Sequence, residues 1–130
     1  MTDKKAISAE QYSPLTLAFL GDAVYELEIR RQLCLAGSAP AGVLHRRSTH
    51  YVCAAFQAQL YDRIETQLTP AELSVLRRGR NASGAAVPKS ATPAQYRKAT
   101  GVEALMGYLY LEGNLVRIAQ LCSLAFTKIE

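Results

Sequence analysis

The stretch LAFLGDAVYE, residues 17–26, places one carboxylate in the middle of an apolar run. Four apolar residues precede the pair Gly21-Asp22, and three apolar residues follow it. Moving a charged group from water into apolar surroundings costs free energy unless the group finds a partner. The partner of Asp22 is therefore the first question that this sequence raises.

The pattern around this stretch is helical, and it remains helical along the chain. Ser13-Pro14 is a helix start signal, and Gly37 is a stop signal. Further signals predict a second helical region from Pro40, with a break near Ser48. Capping boxes at 69–72 and 92–95 start two more helices, with a loop at 81–91 between them. A last helix is capped by Asn114. No run shows the alternation of a strand bounded by hairpin turns. We predict an all-α fold, with residues 1–130 forming one domain and residues 1–12 a flexible N-terminal segment.

A second apolar helix, ATGVEALMGYLYL at residues 99–111, also contains a single charge, Glu103. Gly21 precedes Asp22, and Gly107 follows Glu103 by one helical turn. Glycine inside a helix costs about 1 kcal/mol relative to alanine, and it is expected where another backbone or a ligand comes close. Because their apolar residues cover more than one stripe, we expect both helices to be mostly buried.

Two explanations of these acids are open. In the first, each acid pairs with an arginine or lies at an edge and reaches solvent. Alternatively, Asp22 and Glu103 face each other, and both ionise comfortably only with a cation between them. Mg²⁺ suits the second case, because it binds carboxylate oxygens and completes its shell with water and phosphate oxygens.

The positive charge is concentrated in one segment. The chain has 15 basic and 11 acidic residues, and residues 73–102 contain six basic residues and no acid. Such a segment is either a solvated face or a phosphate-binding surface. Beside a carboxylate pair, it suggests metal-assisted hydrolysis of a phosphodiester. The candidates for contacts with phosphate and 2′-hydroxyl groups are Arg77, Arg78, Arg80, Asn81, Lys89, Arg97 and Lys98, of which one or two are expected to form internal ion pairs, with Arg46 and Arg47 as second-rank candidates.

Other classes of protein fit poorly. No run of 18 apolar residues exists, and the N-terminus lacks the apolar region of a secretory signal, so we expect a cytoplasmic protein without a membrane anchor. The three cysteines Cys34, Cys53 and Cys122 are far apart, which argues against a disulfide framework and a structural zinc site. We expect all three to be small buried core residues.

The two acidic helices resemble a known family. LAFLGDAVYE resembles the signature helix of the ribonuclease III superfamily, and EALMGYLYLE at 103–112 resembles the second acidic helix of that endonuclease domain. With LRRGRNA at 76–82 and the stretch that follows it, the chain is similar to the Mini-III ribonucleases, which have the catalytic domain without a double-stranded-RNA-binding domain. The resemblance covers nearly the whole chain and implies the helical bundle of that endonuclease domain.

The resemblance also implies a function. Mini-III ribonucleases are homodimers that cut double-stranded RNA with Mg²⁺, for which Mn²⁺ can substitute, and leave 5′-phosphate and 3′-hydroxyl ends. They are associated with maturation of the 23S ribosomal RNA precursor. By position, Asp22 and Glu103 match the two catalytic, metal-binding acids. Two further acids of typical ribonuclease III domains are replaced by Ala18 and Thr100, so water must supply more of the metal shell.

Glu26 and the first helix complete the predictions. Glu26 lies one turn after Asp22 on the same helix face, where it orients a metal-bound water or, as we favour, pairs with an arginine. The apolar first helix is a candidate for the dimer interface. Two alternatives are an inactive ribonuclease III-like, RNA-binding component of a ribonucleoprotein and a helical DNA-binding regulator. The two retained acids argue against the first, and a basic run at a helix end argues against the second.

Overall fold

A computed structural model of the chain describes residues 8–82 and 91–126, and within these ranges it contains helices and no strand. The six α-helices of these ranges are α1 (Pro14–Ala36), α2 (Ala41–Val52), α3 (Ala54–Ile64), α4 (Pro70–Ala82), α5 (Pro93–Leu111) and α6 (Leu115–Ser123). Short 3-10 turns occupy Ala9–Gln11, Glu65–Gln67 and Leu124–Phe126. The predicted all-α fold is confirmed.

The helix starts follow the predicted capping residues. The Ser13 hydroxyl accepts backbone N–H bonds at 3.2 and 3.4 Å, with Pro14 at the first position of α1. At α5, the Thr92 hydroxyl accepts a bond from the Gln95 N–H, while the Gln95 side chain accepts one from the Thr92 N–H, both at 3.1 Å. The box between Thr69 and Glu72 forms in the same way, at 3.2 and 3.0 Å.

Two local predictions need correction. The second helical region breaks at Cys53 rather than near Ser48. Ser48 stays helical and is buried, and its hydroxyl donates to the His45 carbonyl at 2.9 Å, so the helix itself satisfies this hydroxyl. Among the cysteines, Cys122 is buried, whereas Cys34 and Cys53 are exposed. Cys34 lies on the outer side of α1, and Cys53 lies at the junction between two helices, so local apolar neighbours did not imply burial.

The structure describes part of the N-terminal segment. Of the predicted flexible residues 1–12, the structure describes only those from Ser8 onward. These form a 3-10 turn in which the Ser8 N–H donates to the Gln11 side chain at 2.9 Å and Ala9 is buried. The Arg78 guanidinium also donates to the Glu10 carbonyl at 3.4 Å. Residues 8–12 therefore contact the bundle, and the flexibility of residues 1–12 stays a prediction.

Helix α5 forms the centre of the bundle. It packs against α1, α3 and α4, while α2 packs against α1, and α6 contacts α1 and α5. Residues 99–102 and 104–109 of α5 are buried, as predicted. Helix α1 differs, because Leu15, Phe19, Leu27 and Leu35 on its outer side are exposed. The apolar character of α1 therefore exceeds what the core of one chain covers.

Two glycines allow the backbones of α1 and α5 to touch. A Cβ atom at Gly21 would overlap the carbonyl group of Glu103, and one at Gly107 would overlap the carbonyl group of Leu17. The expectation that another backbone approaches these glycines is confirmed. This contact fixes the separation of the two helices beside Asp22 and Glu103.

In the described part of the chain, no helix is both long enough and apolar enough to cross a membrane.

Candidate active site

Asp22 and Glu103 lie in one surface cleft between α1 and α5. The cleft is lined by Ala18 and Asp22 from α1 and by Tyr96, Thr100 and Glu103 from α5, together with apolar residues of the first turns of α1. Asp22 is exposed and Glu103 is partly buried. Both acids line the same cleft, so the structure brings together the two acids singled out in the sequence.

The electrostatics of the cleft favour a positively charged ligand. Burial and the neighbouring Asp22 carboxylate raise the pKa of Glu103 to about 8, against a smaller opposing effect of a hydrogen bond from Gln57. None of the ion pairs in residues 8–82 and 91–126 includes either acid. Pairing with an arginine therefore does not explain the two acids, although Asp22 does reach solvent. A bound cation would relieve the repulsion between the carboxylates and lower the pKa of Glu103.

Gln57 is a residue of this site that the sequence analysis missed. It lies in α3, and its side-chain amide donates to the Glu103 carboxylate at 3.4 Å and to the Val52 carbonyl at 2.9 Å. Gln57 is only 2% exposed. Its spacing could have indicated that Gln57 is buried, since it shares a helix face with Leu60 and Ile64, which belong to the core.

Glu26 lies outside the cleft that contains Asp22 and Glu103. Its carboxylate forms an ion pair with Arg30, one turn further along α1, at 2.7 Å. This arrangement agrees with the favoured prediction of a pairing role, and the contribution of Glu26 to metal binding stays an untested alternative.

The predicted RNA-binding residues have different environments. Arg77 forms an ion pair with Glu65 at 3.4 Å, and Lys98 forms one with Asp62 at 2.7 Å. These are two internal pairs, as many as the sequence analysis expected. Both pairs lie at the surface, where such pairs contribute little stability and can exchange partners.

The remaining basic residues carry no ion pair within the described ranges. Arg80 donates to the Tyr61 hydroxyl at 2.9 Å and to the Asn81 side chain at 3.1 Å. Arg78 and Arg97 are exposed, as are Arg46 and Arg47 on α2. Lys89 lies outside the residues that the structure describes.

An exposed apolar face lies next to the cleft. It consists of Leu15, Phe19, Ala23 and Leu27, which follow one another at intervals of four residues along α1. Phe19 is 83% exposed and Leu27 is 68% exposed. Leu27 also borders a groove lined by Tyr110, Leu115 and Val116 at the end of the bundle. Apolar surface of this extent on one side of a small protein is typical of an interaction surface.

Comparison with known proteins agrees with this geometry. The family model described as "Ribonuclease III domain" matches residues 15–114. A Mini-ribonuclease 3 from Symbiobacterium thermophilum is 47% identical over 117 residues, which are 90% of each chain. A Mini-ribonuclease 3 from Streptococcus pneumoniae is 42% identical over 118 residues, covering 89% of this chain and 92% of that protein.

A solved structure shows the same fold. The X-ray crystal structure of a protein from Fusobacterium nucleatum matches with a TM-score of 0.81 at 32% sequence identity, covering 89% of this chain and 93% of that chain. The matched family region contains both cleft acids, Asp22 and Glu103. The chain therefore belongs to the ribonuclease III domain family, in its Mini-ribonuclease 3 branch, and is an endoribonuclease.

Proposed function

We propose that this endoribonuclease hydrolyses phosphodiester bonds of double-stranded RNA with the help of Mg²⁺ or Mn²⁺, leaving 5′-phosphate and 3′-hydroxyl ends. One observation carries the proposal. Asp22 and Glu103 converge in a surface cleft from two helices whose backbones are in contact. A rigid pair of carboxylates is a suitable holder for a divalent cation that also binds a phosphate group.

The residues present fit a hard divalent cation. Both donors are carboxylates, which hard cations prefer, and the raised pKa of Glu103 reflects burial and negative charge that a cation would compensate. Among the described residues, no group of three or more His, Cys, Asp or Glu could form a richer metal site. Two carboxylates are nevertheless enough for Mg²⁺, which commonly keeps several waters and binds substrate phosphate oxygens.

Each part of the site has a defined task. Asp22 and Glu103 would hold the cation, which when bound supplies an activated water and neutralises charge on the phosphate. The contact at Gly21 sets the separation of the two helix backbones that carry the carboxylates. Because Asp22 is exposed and the cleft is open at the surface, a duplex can bring its backbone to the site without being unwound.

The basic residues singled out in the sequence would bind the RNA backbone. A-form RNA is recognised mostly through its shape, its phosphates and its 2′-hydroxyl groups, for which arginine and lysine are suitable donors. Arg78, Arg80 and Arg97 carry no ion pair in the described ranges and are our first candidates. Arg77 and Lys98 would exchange Glu65 and Asp62 for phosphate groups, and Asn81, Lys89, Arg46 and Arg47 complete the proposed contacts.

The exposed apolar face of α1 supports the proposed homodimer. Phe19 lies one turn before Asp22, so a two-fold contact through this face would place two active sites close together. Two sites related by a two-fold axis can address the two strands of one duplex. The family resemblance further suggests the 23S ribosomal RNA precursor as the substrate, and hence a cytoplasmic location.

A cleavage assay tests the proposal. The protein is incubated with an end-labelled RNA duplex, with and without Mg²⁺, and single-stranded RNA and duplex DNA serve as substrate controls. We expect cleavage of the RNA duplex alone, dependent on Mg²⁺, and its loss in Asp22→Asn and Glu103→Gln.

Binding of the RNA duplex without cleavage under any divalent cation would contradict the proposal. That result would favour the inactive, RNA-binding alternative. The ends of the products are checked separately by labelling with polynucleotide kinase before and after treatment with phosphatase. Fragments that require phosphatase before labelling carry the expected 5′-phosphate.

A further inference from the structure

Gln57 is the only residue with an unsatisfied buried side-chain nitrogen or oxygen in the described part of the chain. Its amide nitrogen Nε2 donates to the Val52 carbonyl oxygen at 2.9 Å and to Oε2 of Glu103 at 3.4 Å. Its amide oxygen Oε1 is buried and accepts no hydrogen bond within the described ranges. The amide nitrogen therefore donates two hydrogen bonds, whereas the amide oxygen accepts none.

The orientation of the amide follows from its neighbours. Turning the amide around would place Oε1 against the Val52 carbonyl oxygen, so that two acceptors would face each other. The observed orientation is therefore the one that the contacts require. Leaving Oε1 without a partner costs free energy, whereas an apolar side chain of similar size would fill the site without this cost. The bond to the Val52 carbonyl at the end of α2 is one structural reason for an amide at residue 57, but the unsatisfied Oε1 offsets part of that gain and calls for a second reason.

The link to Glu103 gives such a reason. We propose that Gln57 is a positioning residue, which holds Oε2 of Glu103 so that the other carboxylate oxygen remains available to the divalent cation shared with Asp22. This inference rests on the metal site of the proposed function. Gln57 itself is buried in α3 and lies outside the lining of the cleft, so it would act through Glu103 and touch neither cation nor RNA.

The geometry also explains why a single amide is sufficient. Glu103 is carried by α5, whose backbone is held against α1 at Gly21, so only the side-chain torsions of Glu103 remain to be fixed. At 3.4 Å, the bond is longer than the usual N–H···O range of about 2.7–3.2 Å and is therefore weak. It therefore restricts the orientation of the carboxylate without replacing the cation as its main partner. Partners of metal ligands in such positions typically change metal affinity by about 10- to 100-fold.

The matched comparison is between Gln57→Met and Tyr25→Phe. Methionine fills a similar volume but cannot donate a hydrogen bond. The Tyr25 hydroxyl donates to the Tyr51 carbonyl at 2.6 Å, next to the Val52 carbonyl that Gln57 binds, and it makes no hydrogen bond to Glu103. Tyr25→Phe therefore removes a comparable bond to the end of α2 and leaves the donor to Glu103 in place.

Mn²⁺ is the probe, and binding is measured by electron paramagnetic resonance on the RNA-free protein. We expect Gln57→Met to bind Mn²⁺ about 10- to 100-fold more weakly than the unaltered protein. Tyr25→Phe should stay within about twofold of it. Thermal unfolding of all three proteins in EDTA measures the structural part of each substitution. If Gln57→Met does not fold, Gln57→Asn retains an amide but withdraws the donor by one methylene, and the same loss is expected.

Cleavage supplies a second readout. In Gln57→Met, the Mg²⁺ concentration for half-maximal cleavage should rise by a similar factor, the maximal rate should return at high Mg²⁺, and KM for the RNA should not change. Unchanged Mn²⁺ affinity in Gln57→Met would overturn the inference, as would an equal loss in Tyr25→Phe. If the unaltered protein binds no Mn²⁺, or binds it as well as Asp22→Asn does, the metal site itself is rejected and this inference with it.

Discussion

The contact between α1 and α5 can be tested with a single methyl group at Gly21. In Gly21→Ala, the new Cβ would overlap the carbonyl group of Glu103 and lie 2.8 Å from the backbone nitrogen of Gly107. Both neighbours are backbone atoms, so no side-chain rotation can make room. The helices must move apart, and the carboxylates of Asp22 and Glu103 must move with them.

The size of the effect follows from two opposing contributions. Alanine is favoured over glycine in a helix by up to about 1 kcal/mol. Overpacking a well-packed core costs about 1–3 kcal/mol, and a clash with backbone on the facing helix lies at or above the upper end of that range. We therefore expect Gly21→Ala to lower the free energy of unfolding by about 2 kcal/mol or more, which corresponds to a decrease in Tm of roughly 6–10 °C.

The same substitution at Gly42 is the control. Gly42 lies in α2, where a Cβ would meet only an Arg46 guanidinium nitrogen at 3.8 Å. There the helix preference acts alone, so Gly42→Ala should be neutral or stabilise by up to about 1 kcal/mol. Both variants are compared by urea unfolding, and their Mn²⁺ affinity is measured under native conditions. Equal stability and equal Mn²⁺ affinity of Gly21→Ala and the unaltered protein would refute the argument that this contact sets the separation of the carboxylates.

Three further predictions concern charge and the apolar face. Because the pKa of Glu103 is raised from 4.5 to about 8, the folded metal-free protein retains a proton between these pH values that the unfolded chain has lost. Its free energy of unfolding should therefore fall as pH rises through this window, by at most about 1.4 kcal/mol per pH unit. Urea unfolding in EDTA should show this slope for the unaltered protein and its loss in Glu103→Gln. Parallel pH profiles of the two proteins would contradict the prediction. Arg117 binds the buried Glu72 through two bonds of 2.9 and 3.0 Å, so Arg117→Met should lower the free energy of unfolding by about 3 kcal/mol. The double variant with Glu72→Gln should recover part of this loss, because no unpaired charge is then buried. If urea unfolding shows no recovery, a buried unpaired charge is not the cause. Phe19→Glu should leave the fold intact, since Phe19 is 83% exposed, but sedimentation should show a monomer, and an unchanged dimer would exclude this face as the interface.

Features determined by local sequence were predictable. Ser13, Thr69 and Thr92 start helices in the structure as their spacing to proline and to glutamate or glutamine indicated. The convergence of Asp22 and Glu103 was also predictable, because each acid stands alone in an apolar helix with a glycine nearby. Gly21 and Gly107 each indicated a close approach of another backbone, and in the structure both belong to the same contact between α1 and α5.

Features determined by distant contacts were not predictable. Gln57 meets Glu103 from 46 residues away, and nothing in its neighbourhood along the chain indicates that contact. The ion pair of Lys98 likewise depends on Asp62, 36 residues earlier. Burial of Cys34 and Cys53 failed as a prediction because apolar neighbours in sequence do not reveal which side of a helix faces the core.

The most direct test of the account is a crystal of the protein grown or soaked with Mn²⁺ and measured for anomalous scattering. The account predicts an anomalous peak bound by the carboxylates of both Asp22 and Glu103, and its absence from crystals of Asp22→Asn. An anomalous map at saturating Mn²⁺ without a peak between Asp22 and Glu103 would contradict this prediction. So would a structure in which both carboxylates bind only protein groups.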